Sequence, residues 1–196
     1  MTQLNAPPEA SPATRHAEIG DAIRAATREV FSTMVGLDAL PGETVVTRSS
    51  AGLGLSRHYP GVMAILGLTG EWSGSGQFSC APELACRIAG QMLLSDYPAV
   101  NEEVLDVVSE VANMIIGNIK NTLELRLGPM GLSTPTVVSG SDFDARIAGN
   151  PERVAVPFQC GGDSMTVQVV LARTATSGRA KARRSTTQVT VPARTA

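Results

Sequence analysis

The clearest pattern along this chain is an apolar repeat of helical period over about residues 101–126. Polar side chains at Asp106, Glu110 and Asn113, and the bare Gly117, form a row at steps of four, three and four residues. Apolar positions fill another side of the same predicted helix: Val104, Leu105, Val108, Val111, Ala112, Ile115, Ile119 and Leu123. The pattern therefore predicts a long helix with one buried face and one polar face that contains a glycine.

Two members of the polar row are unfavourable inside a helix. Gly117 costs roughly 1 kcal/mol relative to alanine in a helix interior. Asn113 is a mediocre helix former, because its side chain competes for backbone hydrogen bonds. Such residues beside two acids indicate a face that another molecule approaches closely. An ordinary solvated helix face is the alternative that the residues alone leave open.

Apolar spacing predicts two further helices, and runs rich in β-branched residues predict strands. One helix is expected at about 17–34, before Gly36, and another begins at Pro82, since proline suits the first turn. Turns are expected at 41–42 and 70–75, and Gly161-Gly162-Asp163 is typical of a hairpin. Strands are predicted at 44–48, 61–68, 76–80, 133–139, 152–160 and 165–173. This order predicts an α+β fold, with a largely antiparallel sheet covered by long helices.

Length and composition indicate a single domain with tails. The chain has 196 residues, 43% of them hydrophobic, which is enough for one full core. We predict a flexible segment at 1–15, the domain at 16–173 and a basic, disordered tail at 174–196. No apolar run reaches the roughly 20 residues that span a bilayer, and residues 1–15 lack the features of a signal peptide. The sequence therefore predicts a cytoplasmic protein without a membrane segment.

Charge and side-chain chemistry exclude several classes of function. The predicted tail has five basic residues and no acid, whereas the rest of the chain has 11 basic and 18 acidic residues. The positive charge of the tail is too small for a nucleic-acid partner to be expected. Three cysteines without metal-type spacing are expected to be reduced thiols: Cys80, Cys86 and Cys160. The isolated His16 and His58 argue against a zinc site or a histidine-based triad.

The chemistry of the polar row narrows what it can do. Asp106 and Glu110 point the same way from one helix and cannot flank a sugar as a glycosidase pair does. Without a histidine or third acid they would also make a poor metal cage. A carboxylate such as Glu110 can instead bind a cation, and the Asn113 carboxamide can both donate and accept hydrogen bonds to a water molecule. Such a pair suits an activated electrophile, for example an acyl phosphate, which needs positioning more than a strong base.

The same residues resemble the signature of the CheC/CheX chemotaxis phosphatases. The row reads Asp106-x-x-x-Glu110-x-x-Asn113, followed by Gly117-Asn118. In the family pattern about 22 residues separate the asparagine from a proline, and here 21 residues separate Asn113 from Pro135, a departure of one residue. The resemblance covers roughly residues 16–173. Because the first predicted helix lacks a Glu-x-x-Asn motif, the chain is similar to the CheX branch, which carries the motif once.

The resemblance implies a CheC/CheX-like fold and a phosphatase that acts on a phosphorylated receiver-domain response regulator. Asn113 would orient the attacking water at the regulator's aspartyl phosphate, and Glu110 would pair with the regulator's active-site lysine. Asp106, Gly117 and Asn118 would contact the partner. Magnesium would belong to the regulator, so no cofactor is expected in this chain.

The resemblance also implies a homodimer formed by sheet extension, and the C-terminal strands could serve as its edge. A different class of function remains possible on the same residues. In that alternative the chain is a non-catalytic module that docks on a receiver domain or signalling partner through the same acidic face. The intact Glu110 and Asn113 pair favours the phosphatase.

Overall fold

Three helices pack against an eight-stranded antiparallel sheet in the computed structural model, which describes residues 11–48, 61–140, 144–146, 152–174 and 188–190. The helices are α1 (Pro12–Val30), extended by a π-helical turn (Phe31–Val35), α2 (Pro82–Leu93) and α3 (Glu102–Leu127). The strands are β1 (Leu40–Pro41), β2 (Val45–Arg48), β3 (Gly61–Gly70), β4 (Trp72–Cys80), β5 (Met130–Leu132), β6 (Thr136–Gly140), β7 (Asp144–Arg146), β8 (Glu152–Cys160), β9 (Asp163–Arg173) and β10 (Gln188–Thr190). The predicted α+β class and antiparallel sheet are confirmed.

Local capping explains where the helices begin and end. The Asn101 side chain accepts a hydrogen bond from the amide of Val104 at 3.0 Å and caps α3. Helix α3 ends at Gly128, whose φ of 81° lies in the left-handed region that glycine adopts readily. Helix α1 begins at Pro12, earlier than predicted, because the Ser11 hydroxyl caps the amide of Thr14 at 3.2 Å. The start of α1 was predicted too late because the sequence before Pro12 is rich in proline.

The sheet consists of two similar halves. Its strand order is β1-β8-β9-β4-β3-β5, with β2 also paired to β8 and β6 also paired to β3. In each half, a long helix is followed by two short strands that pair with the outer strand of a hairpin: α1 with β1 and β2 on β8, and α3 with β5 and β6 on β3. The second half carries the polar row.

The hydrophobic core lies between the helices and the sheet and sets the position of α3. Ile115, Ile116 and Ile119 of α3 are fully buried. A Cβ atom added at Gly76 of β4 would lie 2.6 Å from Cγ2 of Ile116, so the helix rests directly on the strand there. Because the apolar stripe faces the sheet, the polar row faces away from it.

Three sequence predictions about the strands need correction. The turn predicted at 70–75 is confined to Glu71, because β3 extends to Gly70 and β4 begins at Trp72. The strand predicted at 133–139 is β6 alone, which begins at Thr136, and the short strand β5 before it was not predicted. The C-terminal strands β8 and β9 are not a free edge, because β1 and β2 pair with the outer side of β8.

Some predictions concern residues outside this description. The structure describes neither His58 nor most of the segments predicted to be flexible, namely residues 1–10, 175–187 and 191–196. The division into tails and domain therefore stays a prediction. Within the described residues, no helix combines the length and apolar character needed to cross a membrane.

Candidate functional site

The polar row predicted from the sequence lies along the outer face of α3. The side chains of Asp106 and Glu110 are exposed, and Asn113 and Gly117 are half-buried. Asn118 is also half-buried, but one residue beyond Gly117 it is turned by about 100° around the helix axis. The structure thus brings four of the five predicted residues onto one line and places the fifth beside it.

The functional groups of this row are not engaged by the part of the chain that the structure describes. Neither the carboxylates of Asp106 and Glu110 nor the carboxamide of Asn113 forms a hydrogen bond or ion pair there. An exposed acid tolerates this because water solvates its charge. All three groups are therefore free to bind a molecule that approaches α3.

The end of β5 and the segment that follows it, residues 132–135, form a wall beside Gly117. A Cβ atom added at Gly117 would lie 3.9 Å from Cδ2 of Leu132. Ser133 holds the segment to β3 twice: its amide donates to the carbonyl of Gly67 at 2.9 Å, and its hydroxyl accepts from the Gly67 amide at 2.8 Å. Pro135 follows two residues later, immediately before β6. The proline of the motif thus belongs to a segment that is fixed against the motif helix.

Two charged residues that the sequence analysis missed continue the row. Lys120 and Glu124 follow Asn113 by seven and eleven residues, so they fall near the same line. The Lys120 ammonium contacts Oε1 of Glu124 at 2.9 Å, and that oxygen also accepts a hydrogen bond from the Met130 amide at 2.7 Å. Hydrogen bonds from Lys120 and Met130 lower the pKa of Glu124. The spacing of four residues between Lys120 and Glu124 was the sequence feature that could have predicted this ion pair.

The described residues support neither a reactive cysteine nor a metal site. Burial raises the pKa of the Cys80 and Cys86 thiols, so they stay protonated and are poor nucleophiles. No group of three or more potential metal ligands occurs among the described residues. A cavity of about 810 Å³ between α2 and the α2–α3 connection includes Arg87 and Tyr97, but no residue of the polar row.

The polar row differs from a self-contained active site. Its carboxylates and carboxamide lie on the convex surface of one helix rather than in a cleft, and acid and amide point the same way. It can orient a water molecule and bind a cation, but among the described residues only the segment at Leu132 stands beside it, so a substrate would not be enclosed. This geometry suits a surface that completes its site with groups from a partner.

Sequence comparison identifies one matching family. Residues 62–159 match the family described as chemotaxis phosphatase CheX, a region that includes the polar row and Pro135. The CheY-P phosphatase CheX of Thermotoga maritima is 29% identical over 89 residues, which cover 45% of this chain and 57% of that protein. The match thus spans little more than half the length of this relative.

Solved structures share the fold. The chemotaxis protein CheX of Desulfovibrio desulfuricans has a TM-score of 0.65 and 26% identity, over 78% of this chain and 99% of that one. A complex of CheX with CheY, BeF3 and Mg²⁺ from Borrelia burgdorferi matches with a TM-score of 0.60 and 22% identity, over 77% of this chain and 96% of that one. At this identity the second match concerns the fold alone.

Proposed function

Because this chain belongs to the CheX family of chemotaxis phosphatases, we propose that it hydrolyses the aspartyl phosphate of a CheY-like response regulator. The observation that carries the proposal is the free Glu110 and Asn113 pair on the exposed face of α3. These groups have the chemistry to position a water molecule and to bind a cation, and nothing in the described residues occupies them. We therefore assign the hydrolase activity to this helix face.

In the proposed reaction Asn113 positions the nucleophile. Its carboxamide accepts a hydrogen bond from water and donates one toward the phosphoryl group, which places the water oxygen in line with the phosphorus. The bond between that oxygen and phosphorus forms while the bond from phosphorus to the aspartyl oxygen breaks. The regulator's aspartate leaves as a carboxylate. The oxygen and both protons of the water become part of the inorganic phosphate. An acyl phosphate needs little base catalysis, so an amide suffices.

Glu110 is proposed to bind the regulator rather than the water. Its exposed carboxylate, one helical turn before Asn113, can pair with the lysine of the regulator's active site. Asp106, Gly117 and Asn118 would contact the regulator on either side. Magnesium is proposed to reside on the regulator, in keeping with the composition of the Borrelia burgdorferi complex. The reaction would take place in the cytoplasm, with a receiver domain as the protein partner.

A homodimer formed by sheet extension would use an edge of the sheet other than the predicted one. The exposed apolar side chains Leu40, Val45 and Val46 lie on β1 and β2, which pair with β8 on one side. Exposed apolar residues on an edge strand favour pairing with another strand. We therefore propose this edge as the dimer contact.

A phosphate-release assay against the organism's set of phosphorylated receiver domains tests the proposed function. A substoichiometric amount of the protein should accelerate phosphate release from at least one regulator, with multiple turnovers. If no receiver domain loses phosphate faster than it does alone, the enzyme assignment is wrong. Binding without acceleration would identify the non-catalytic docking module instead.

Replacing Glu110 with alanine should mainly weaken the encounter with the regulator. Loss of one charge pair across an interface is expected to raise KM about tenfold, while kcat changes by less than about threefold. Steady-state kinetics at several salt concentrations measure both effects, and the dependence of kcat/KM on salt should become shallower. The exposed acid Asp21 supplies a matched control, since Asp21→Ala removes a carboxylate from a different helix. A fall in kcat at unchanged KM would contradict this role.

A further inference from the structure

We propose that Glu124 is a positioning residue that holds segment 128–135 against α3 and so sets the wall beside Gly117, about one helical turn from Asn113. The inference rests on the proposed function for its effect on catalysis, but the contacts that carry it do not depend on that function. Glu124 lies about three turns beyond Asn113 on the same helix, too far to touch a phosphoryl group bound there. Its effect must therefore pass through the segment that it holds.

Glu124 binds the chain just after α3 through both its main-chain carbonyl and its side-chain carboxylate. Its carbonyl accepts a hydrogen bond from the Gly128 amide at 3.2 Å, which closes the last turn of the helix. Its carboxylate accepts one from the Met130 amide at 2.7 Å. Met130 is the first residue of β5 and its side chain is buried. Glu124 thus contacts the chain at two points as it leaves the helix.

The segment beyond Met130 returns to the helix beside the motif. Leu132 meets α3 at Gly117, about one turn from Asn113, and Ser133 is bonded to Gly67 of β3. The segment is therefore held by Glu124 at Met130 and by β3, which pairs with β5 and bonds to Ser133. Met130 is only two residues from Leu132 in the same short strand, so we expect a shift at Met130 to displace the contact at Gly117.

Lys120 keeps the Glu124 carboxylate charged and oriented. The side chains are only 17% and 27% exposed, respectively, so the pair is better shielded than a fully solvated one. Since the pKa of Glu124 is lowered in the folded chain, the bonds are present above its ordinary value of 4.5 and are lost only as pH falls further. Lys120 is the charged group that faces this carboxylate, and the Met130 amide is its other partner.

Matched substitutions separate the hydrogen bond from the charge. Glu124→Ala removes both interactions, Glu124→Gln keeps an oxygen for the Met130 amide, and Lys120→Met removes only the cation. In Glu124→Ala we expect kcat to fall on the order of tenfold with KM changed less than about threefold, because misplacement of a reacting group lowers rate more than binding. Glu124→Gln should recover most of kcat. Asp21→Ala, which removes an exposed acid from α1, should match the wild type.

Amide hydrogen exchange tests the same inference without any regulator. The Met130 amide should exchange at least about tenfold faster in Glu124→Ala than in the wild type, and much less so in Glu124→Gln. The side-chain amide resonance of Asn113 should move in Glu124→Ala and stay in place in Asp21→Ala. Unchanged Met130 exchange and an unmoved Asn113 resonance would overturn the inference.

The two proposals can fail separately. A wild type that is inactive on every receiver domain, with the expected exchange and resonance changes in Glu124→Ala, would refute the phosphatase and leave the positioning role standing. An active wild type whose kcat is the same in Glu124→Ala would refute the positioning role alone. If Glu124→Ala does not fold, Lys120→Met takes its place, with a smaller rise in Met130 exchange and a displaced Asn113 resonance as the expected results.

Discussion

Replacing Asn113 with alanine is expected to reduce the accelerated dephosphorylation of the regulator by about 100-fold or more, because the group that places the attacking water is lost. The fold should be unaffected, since the half-buried carboxamide has no hydrogen bond within the described residues to lose. Alanine is also the better helix former. The measurement is phosphate release under multiple-turnover conditions, with thermal unfolding followed in parallel.

An exposed carboxamide on another helix provides the control for this experiment. Gln91 lies on α2, and Gln91→Ala should keep activity within about twofold of the wild type, because surface substitutions away from a site have small effects. The Asn113→Ala protein should still bind the phosphorylated regulator through Glu110. Equal rates of phosphate release with Asn113→Ala and wild type would rule out Asn113 as the residue that orients the water.

Replacing Gly74 with alanine is expected to cause the largest loss of stability. Gly74 lies in β4 opposite Leu171 of β9, and a Cβ atom there would overlap the carbonyl oxygen of Val170. The obstacle is backbone in the middle of the sheet, so a side-chain rotation cannot relieve it. We expect a loss of about 3 kcal/mol in the free energy of unfolding, at the upper end of overpacking effects. This corresponds to a fall in Tm of roughly 6–12 °C.

Ser75, the residue after Gly74, provides the control for this substitution. Ser75→Ala changes the next position of β4, whose side chain points to the other face of the sheet, and should alter stability by less than about 1 kcal/mol. Chemical denaturation of both variants gives the two free energies. If Gly74→Ala were as stable as Ser75→Ala, strands β4 and β9 could not approach as closely as the structure has them.

Features that depend on local spacing were predicted from the sequence alone. The predicted helix at 101–126 is α3 within one residue at each end, because its apolar period, its asparagine cap and its terminal glycine act over neighbouring residues. The strand at 152–160 agrees with β8 for the same reason. The line formed by Asp106, Glu110, Asn113 and Gly117 follows from helix geometry once the helix is recognised.

Features that depend on contacts between distant segments were missed or wrong. The short strand β1 escaped prediction because its Leu-Pro sequence has no strand signal and is held only by pairing with β8. The predicted dimer edge was wrong because β1 and β2, more than 100 residues earlier in the chain, cover β8. The bond from Glu124 to Met130 depends on how the chain turns after Gly128, which hydrophobic period does not encode.

The sequence by itself thus determined the helix, the order of its polar groups and, through the resemblance, the family. Local dihedral preferences and side-chain period are sufficient for these, since they act within a few residues. Only the tertiary structure decided which of these groups no other described residue binds, which segment packs beside them and which strand of the sheet is already covered. Those properties come from burial and pairing between segments far apart in the chain, where the hydrophobic effect and strand register, rather than local preference, select one arrangement.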